Sequence, residues 1–220
     1  MSEKKVLGID TSSVSLNLAV VGEGGSVVSS YQEISKNHAG RLPSVLDQVA
    51  PPTTLELMSA VGVVAGPGSF TGLRVGLSVA LALRAALKIP VYQVSTLLCL
   101  ARFPSPYGKG AAVIDARKGE FYIQFFDKLG EKTAPLSEPS VIKYGELGSC
   151  IEGLDWALGA NLGLVGGNLP ENLRALENPN LAVEAAREAL ARLLSGDPGD
   201  VEVSPIYVRE PDAIPSFGSK

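Results

Sequence analysis

Residues 63–87 read VVAGPGSFTGLRVGLSVALALRAAL, an apolar strand that breaks at Gly66-Pro67-Gly68 and runs straight into a long apolar helix. Glycine tolerates the positive φ that a sharp strand-to-helix turn demands, and proline cannot continue a ladder. Ser69 or Thr71 stands where a side-chain oxygen can cap the helix by accepting a bond from a first-turn amide. Amides left over at such a turn are donors for an anion. The stretch is not a Walker P-loop, since no GK[ST] follows and no lysine is available for a β/γ-phosphate. Two readings stay open here: a phosphate cradle, or a turn that aims a packing helix.

The helix carries Leu73, Val75, Leu77, Val79, Leu81, Leu83 and Leu87, with only Arg74 and Arg84 charged. Apolar side chains on nearly every side predict burial on more than one face, in a core or at a subunit interface. Gly72, Gly76, Ser78 and Ala80 permit close approach of another element. The two arginines and the short length argue against a membrane span.

Upstream, VLGID and LNLAVV read as two strands joined by TSSVS, and SVVSSYQEI (26–34) as a third. His38 opens an amphipathic helix with Leu42, Val45, Leu46 and Val49 on one face, stopped by Pro51 and Pro52. A short helix is predicted over 55–60, strands over 60–65 and 89–94, and a helix over 96–102. FPSPYGKG (103–110) is the boundary, dividing the chain into an N-terminal lobe, 1–102, and a C-terminal lobe, 103–220, with a final helix and tail. Beyond it AAVID-ARKG-EFYIQFF repeats the opening pattern of apolar strand ending in Asp, polar turn and second strand, which implies two related α/β halves. Short strands are expected near Val141 and over 162–165, and a helix over 181–194. After Gly196 only SPIYVREPDA is patterned.

With 220 residues, 45% hydrophobic and 19% charged, the chain is no disordered protein. A net charge of −4 speaks against a protein that grips nucleic acid unaided. Cys99 and Cys150 are isolated, which suits a reducing compartment. The apolar run behind the charged N-terminus is cut by Asp10, so it is no signal peptide, and the expectation is a soluble cytoplasmic protein with no membrane role.

Asp10, with Thr11, Ser12 and Ser13 behind it, has the chemistry to hold Mg²⁺ and a phosphate, and Asp115 has it from the opposite side. Gly68, Ser69 and Thr71 of the central turn, with Gly166, Gly167 and Asn168, would complete a nucleotide or phosphate site of the actin-like ATPase layout. The plainer reading makes these ordinary turn residues bonding their own backbone. His38 is the only histidine, too few for a transition-metal site. No GxSxG is present, and a nucleophilic triad or a peptidase has nothing to work with.

LGIDTSSVSLNLAVV, NHAGRLPSVLDQV, AGPGSFTGLRVGLSVALAL, IPVYQVSTL, VIDARKGEFY and PIYVRE together resemble the TsaB (YeaZ) family, over most of 6–126 and a piece near 205–210. The resemblance implies an α/β, actin-like (ASKHA, ribonuclease H-like) fold of two lobes. It implies a place in the bacterial pathway that forms N6-threonylcarbamoyladenosine next to the tRNA anticodon. There TsaD performs the transfer, TsaB is its non-catalytic partner and TsaE joins as an ATPase. ATP and Mg²⁺ would then sit on TsaD and TsaE, this chain holding no cofactor or metal and meeting tRNA only through the complex. TsaD-type catalysis needs a histidine pair on the helix that begins at His38, and here the second is missing. By the same resemblance the partner interface falls on His38, Arg41, Leu42, Val45 and Leu46 of the first helix and Leu73, Arg74 and Leu77 of the second. A homodimer through those helices is expected without the partner. Leu81 and Ala82 depart from the polar residue and glycine the family leads one to expect. The alternative, from the residues alone, is an ATP/Mg-binding actin-like enzyme using Asp10 and Asp115.

Overall fold

The computed structural model of the protein describes residues 3–130, 132–162 and 169–209. Alternation and Gly-rich turns make the opening a meander: β1 (Lys5–Asp10), β2 (Ser15–Gly22) and β3 (Val27–Ile34), paired antiparallel. β4 (Ala60–Gly66) then pairs parallel with β1, and β5 (Val91–Ser95) parallel with β4, giving the order β3-β2-β1-β4-β5. β2 and β4 are buried along their whole length, and β1 from Val6 onward, because helices cover both faces of the sheet.

One face is covered by α1 (His38–Val49) and α3 (Phe70–Leu87), whose Leu42, Val45, Leu77, Ala80 and Leu83 meet Leu7, Ile9, Leu18, Val61 and Val63. Asn37 caps α1, its Oδ1 accepting from Gly40 N at 3.0 Å. The short helix expected at 55–60 forms earlier, as α2 (Pro52–Leu55), because Pro52 presets the first-turn φ. α3 has the length and hydropathy of a membrane-crossing helix, yet its Gly72-Leu73-Gly76-Leu77-Ala80-Leu83 stripe is buried in this core.

α4 (Thr96–Ala101) leads into the second sheet, built from β6 (Gly108–Arg117), β7 (Glu120–Leu129), β8 (Lys132–Pro135), β9 (Ser140–Lys143), β10 (Trp156–Ala160) and β11 (Leu173–Leu176). Its order is β11-β10-β6-β7-β8, with β9 also on β7. β6 and β7 are antiparallel while β10 and β11 extend β6 in parallel, so the wiring of the first sheet is repeated strand for strand. α5 (Leu147–Ile151) packs on one face and α4 on the other, through Leu97 and Leu100. Lys128 clips the link between lobes, its Nζ donating to Phe103 O at 2.6 Å and Ser105 Oγ at 2.9 Å. The strand expected over 162–165 falls largely outside the described residues.

The assignment of the final helix to the C-terminal lobe is corrected. α6 (Leu181–Leu194) lies on the free face of the first sheet, against β1, β2 and β4. Gly8 and Gly62 allow this: a Cβ on Gly8 would stand 1.9 Å from Ala182 O, and one on Gly62 2.2 Å from Ala185 O. The tail stays with the same lobe, at β5 through Asp200 N to Val91 O and at the end of β4 through Ile206 N to Ala65 O, both 2.8 Å.

Candidate functional site: an interlobe cleft and an outer groove

The turns that end β1 and β4 meet at the entrance of α3. Thr11 Oγ1 donates to Gly72 O at 2.8 Å and accepts from Gly76 N at 3.1 Å, so its side chain pins the helix to the strand. Ser69 N donates to Ser12 O at 2.7 Å, and Ser69 Oγ caps α3 by accepting from Gly72 N at 3.3 Å. Asp10 is 1% exposed and accepts from Ser12 N and Asn17 Nδ2, each at 2.9 Å. Burial pushes its carboxyl above the usual carboxylate range, against the opposing pull of those two hydrogen bonds.

Between the lobes lies a cleft of about 450 Å³. Ser12, Gly68, Ser69 and Thr71 line it from the first lobe, and Asp115, Arg117, Tyr122 and Asn161 from the second, with Arg209 of the tail. Asp115 Oδ1 accepts from Arg117 N and Tyr144 Oη, both at 2.7 Å, and that bond helps push the Tyr144 hydroxyl up to about 12. Of the residues expected to form a nucleotide site, then, Ser12, Gly68, Ser69, Thr71 and Asp115 converge. Asp10 and Thr11 do not: both are spent inside the first lobe, so the expected pair of carboxylates does not face across the cleft. Gly166, Gly167 and Asn168 lie outside the described residues. Mg²⁺ would need ligand oxygens, and with Asp10 sealed the donor set does not fit it; among the described residues no cluster of three His, Cys, Asp or Glu could hold a metal.

Asp10 also sets a pH dependence. A carboxyl raised above its unfolded value binds more protons in the native state, so its contribution to stability falls as pH rises from about 3.8 through the raised value. Asp10→Asn cannot titrate. The variant's melting temperature minus that of the wild type is therefore expected to be more positive at pH 7 than at pH 4. A difference that is constant or reversed between the two pH values would refute the buried-charge account.

The outer side of α3 carries a second concavity, about 420 Å³, lined by Ala39, Phe70, Thr71, Arg74, Val75, Ser78 and Val79. Phe70 is 48% exposed at its end, with the Arg74 guanidinium 5.4 Å from the ring centroid and the Tyr207 ring stacked at 6.0 Å. The interface residues implied by the family resemblance divide here. His38, Arg41, Leu46 and Arg74 reach the surface, Arg41 as a bidentate partner of Glu33 at 2.9 Å. Leu42, Val45, Leu73 and Leu77 do not, being between 1% and 4% exposed in the lobe's own core; that part of the expectation is corrected. The outer groove is lined as well by Ala39, Phe70, Val75, Ser78 and Val79, none of them part of that expectation. The signal was the small-residue stripe: Gly72 and Gly76, whose Cβ atoms would stand 2.0 Å from Thr11 O and 2.5 Å from Thr11 Oγ1, mark the inner side and leave residues 70, 74, 75, 78 and 79 outside.

Two lobes with the same strand wiring, joined through α4 and facing each other across a cleft, define an actin-like (ASKHA, ribonuclease H-like) protein. The family model described as TsaD, tRNA N6-adenosine threonylcarbamoyltransferase, matches residues 26–156. Among curated proteins, the TsaB threonylcarbamoyladenosine biosynthesis protein of Bacillus subtilis is 33% identical over 140 residues, 59% of each chain. That of Escherichia coli is 30% identical over 151 residues, 63% of this chain and 64% of the relative. The chain thus matches about three-fifths of the length of these curated relatives. The solved structure of YeaZ from Pseudomonas aeruginosa superposes with a TM-score of 0.77 at 26% identity, over 93% of this chain and 99% of that one. The chain belongs to the TsaB/YeaZ family.

Proposed function

We propose that this protein is a non-catalytic docking subunit in the formation of N6-threonylcarbamoyladenosine next to the tRNA anticodon, and that it works by pairing with TsaD. The observation that carries this is the outer groove of α3. Val75 and Val79 are only partly buried, and Phe70 stands half exposed beside them. An apolar floor with an aromatic anchor and a polar rim has the composition of an interface centre. The chemistry inside the chain supports the division of labour. Its lone histidine, a sealed Asp10 and a Thr11 committed to α3 leave little for catalysis, so transfer, ATP and Mg²⁺ belong to TsaD and TsaE. A net charge of −4 leaves tRNA contact to the assembly. The same groove serves a homodimer when TsaD is absent, and the setting is cytoplasmic.

The test is light scattering behind size-exclusion chromatography on this protein mixed with TsaD of the same organism. A 1:1 heterodimer that replaces any homodimer is the expected result. No association with or without ATP, Mg²⁺ and TsaE would overturn the reading.

A further inference from the structure

We propose that Tyr207 is a positioning residue of the docking groove, and that the second lobe controls it through the tail. The tail braces the Phe70 anchor and is itself fastened across the cleft. The use of this brace rests on the docking reading, but the brace belongs to the free chain and is tested there. SPIYVRE is the patterned stretch after Gly196, and it is fastened to the first lobe ahead of the ring. Gln93 Nε2 donates to Glu202 O at 2.9 Å, and Gln93 Oε1 accepts from Ser204 N at 2.7 Å. Ile206 N then donates to Ala65 O at 2.8 Å, while Val203 and Ile206 pack against the core that α3 covers. The chain passes so close to the end of β4 that a Cβ on Gly66 would stand 2.7 Å from Ile206 O.

Beyond the ring the chain crosses to the other lobe, where Arg209 pairs with Glu120 at the start of β7. Tyr207 therefore lies between two fastenings on different lobes. Two residues span at most about 7 Å, so little slack separates the ring from the ion pair. Phe70 opens α3 and is 48% exposed, so the lobe's own core does not fix its side chain. What holds the ring is the Arg74 guanidinium, 5.4 Å from its centroid, and the Tyr207 ring, stacked at 6.0 Å with 22° between the planes. Tyr207 does not line the groove, so it steadies the anchor without blocking it. An aromatic anchor already held in place loses less freedom on docking than a mobile one, and binds more tightly for it. The Arg209 and Glu120 side chains are 29% and 31% exposed, which makes their pair a weak and reversible fastening. Parting the lobes there also loosens Phe70. Glu120 thus reaches the groove without lining it.

The experiment compares the full chain, ¹³C-labelled at phenylalanine, with its Tyr207→Ala, Tyr207→Phe and Glu120→Gln variants. In the free chain the Phe70 ring signal is expected to move in Tyr207→Ala, to stay in Tyr207→Phe, and to move part of the way in Glu120→Gln. Melting temperatures should agree within about 2 °C, since all three positions are at the surface. Affinity for TsaD of the same organism is expected to fall about tenfold in Tyr207→Ala and about threefold in Glu120→Gln, and to hold in Tyr207→Phe. A Phe70 signal unmoved by Tyr207→Ala overturns the brace, and one unmoved by Glu120→Gln overturns its control by the second lobe. Ring signals that move while every variant binds TsaD as the wild type does overturn the positioning role. Failure of the wild type to bind TsaD counts against the docking reading instead, and the ring signals still decide whether the brace exists.

Discussion

Gly62→Val is expected to destabilise the protein by roughly 3 kcal/mol and to loosen α6 from the first sheet. Gly62 lies in the middle of β4, and its Cβ would enter within 2.2 Å of the carbonyl oxygen of Ala185 and 2.9 Å of the Ala189 methyl. A side-chain clash can be relieved by a rotamer change. A clash with main chain moves the whole helix. Lifting α6 also separates Ala186 and Ala189 from Val6, Ala60 and Tyr92, and Ala185 from Val64, all of them buried. For a chain of this size that loss corresponds to a fall in melting temperature of about 6–12 °C. Gly8→Ala, with its Cβ 1.9 Å from Ala182 O, is expected to act in the same direction. Gly145→Ala, which meets nothing within 4 Å, is the control and is expected to be neutral. Hydrogen exchange over 181–194 checks the mechanism: faster exchange confined to α6 supports it, and an unchanged helix in a destabilised protein rejects it.

That prediction also marks where the sequence becomes hard to read. Local periodicity made most elements legible. The 42/45/46/49 face specifies α1, the VLGID and AAVID strands with their polar turns specify two equivalent hairpins, and Ser69 after Gly66-Pro67-Gly68 specifies the start of α3. The repeat of those hairpins carried the two-lobe fold, and the sheets bear it out in matching strand order. The placement of α6 was not legible, because an alanine-rich face suits almost any sheet. What selects its partner is two missing Cβ atoms at Gly8 and Gly62, more than a hundred residues away. The cleft was half legible for a similar reason. Turn chemistry identifies Ser12, Ser69, Thr71 and Asp115 as polar groups at strand ends. That Thr11 is consumed by Gly72 and Gly76, and Asp10 by Asn17, depends on tertiary bonds that no spacing encodes. Most obscure was which side of α3 faces out, since an all-round apolar helix offers no moment to read.

The orientation of α3 determines which substitution can probe the proposed TsaD interface. Ser78→Arg is expected to weaken association by at least about 100-fold while leaving the subunit folded. Ser78 is exposed and lines the groove, and its Oγ donates to Arg74 O at 2.6 Å in the same helix. Arginine has the better helix propensity, so α3 loses nothing in the free subunit. Within a closed interface the new side chain would fill the groove and bury a second guanidinium beside that of Arg74, with no carboxylate among the described residues lining the groove to pair it. Leu73→Asp is the contrasting case. Leu73 is 1% exposed beneath the turn at Gly66, and a carboxylate there costs about 3–5 kcal/mol in the monomer itself. It is expected to abolish association by unfolding, and therefore says nothing about the surface. Melting curves and light scattering on both variants separate the cases. Ser78→Arg with wild-type melting and no heterodimer locates TsaD on the outer face of α3. A heterodimer of undiminished affinity moves the interface elsewhere on the lobe, to the side where His38 and the Arg41–Glu33 pair meet solvent.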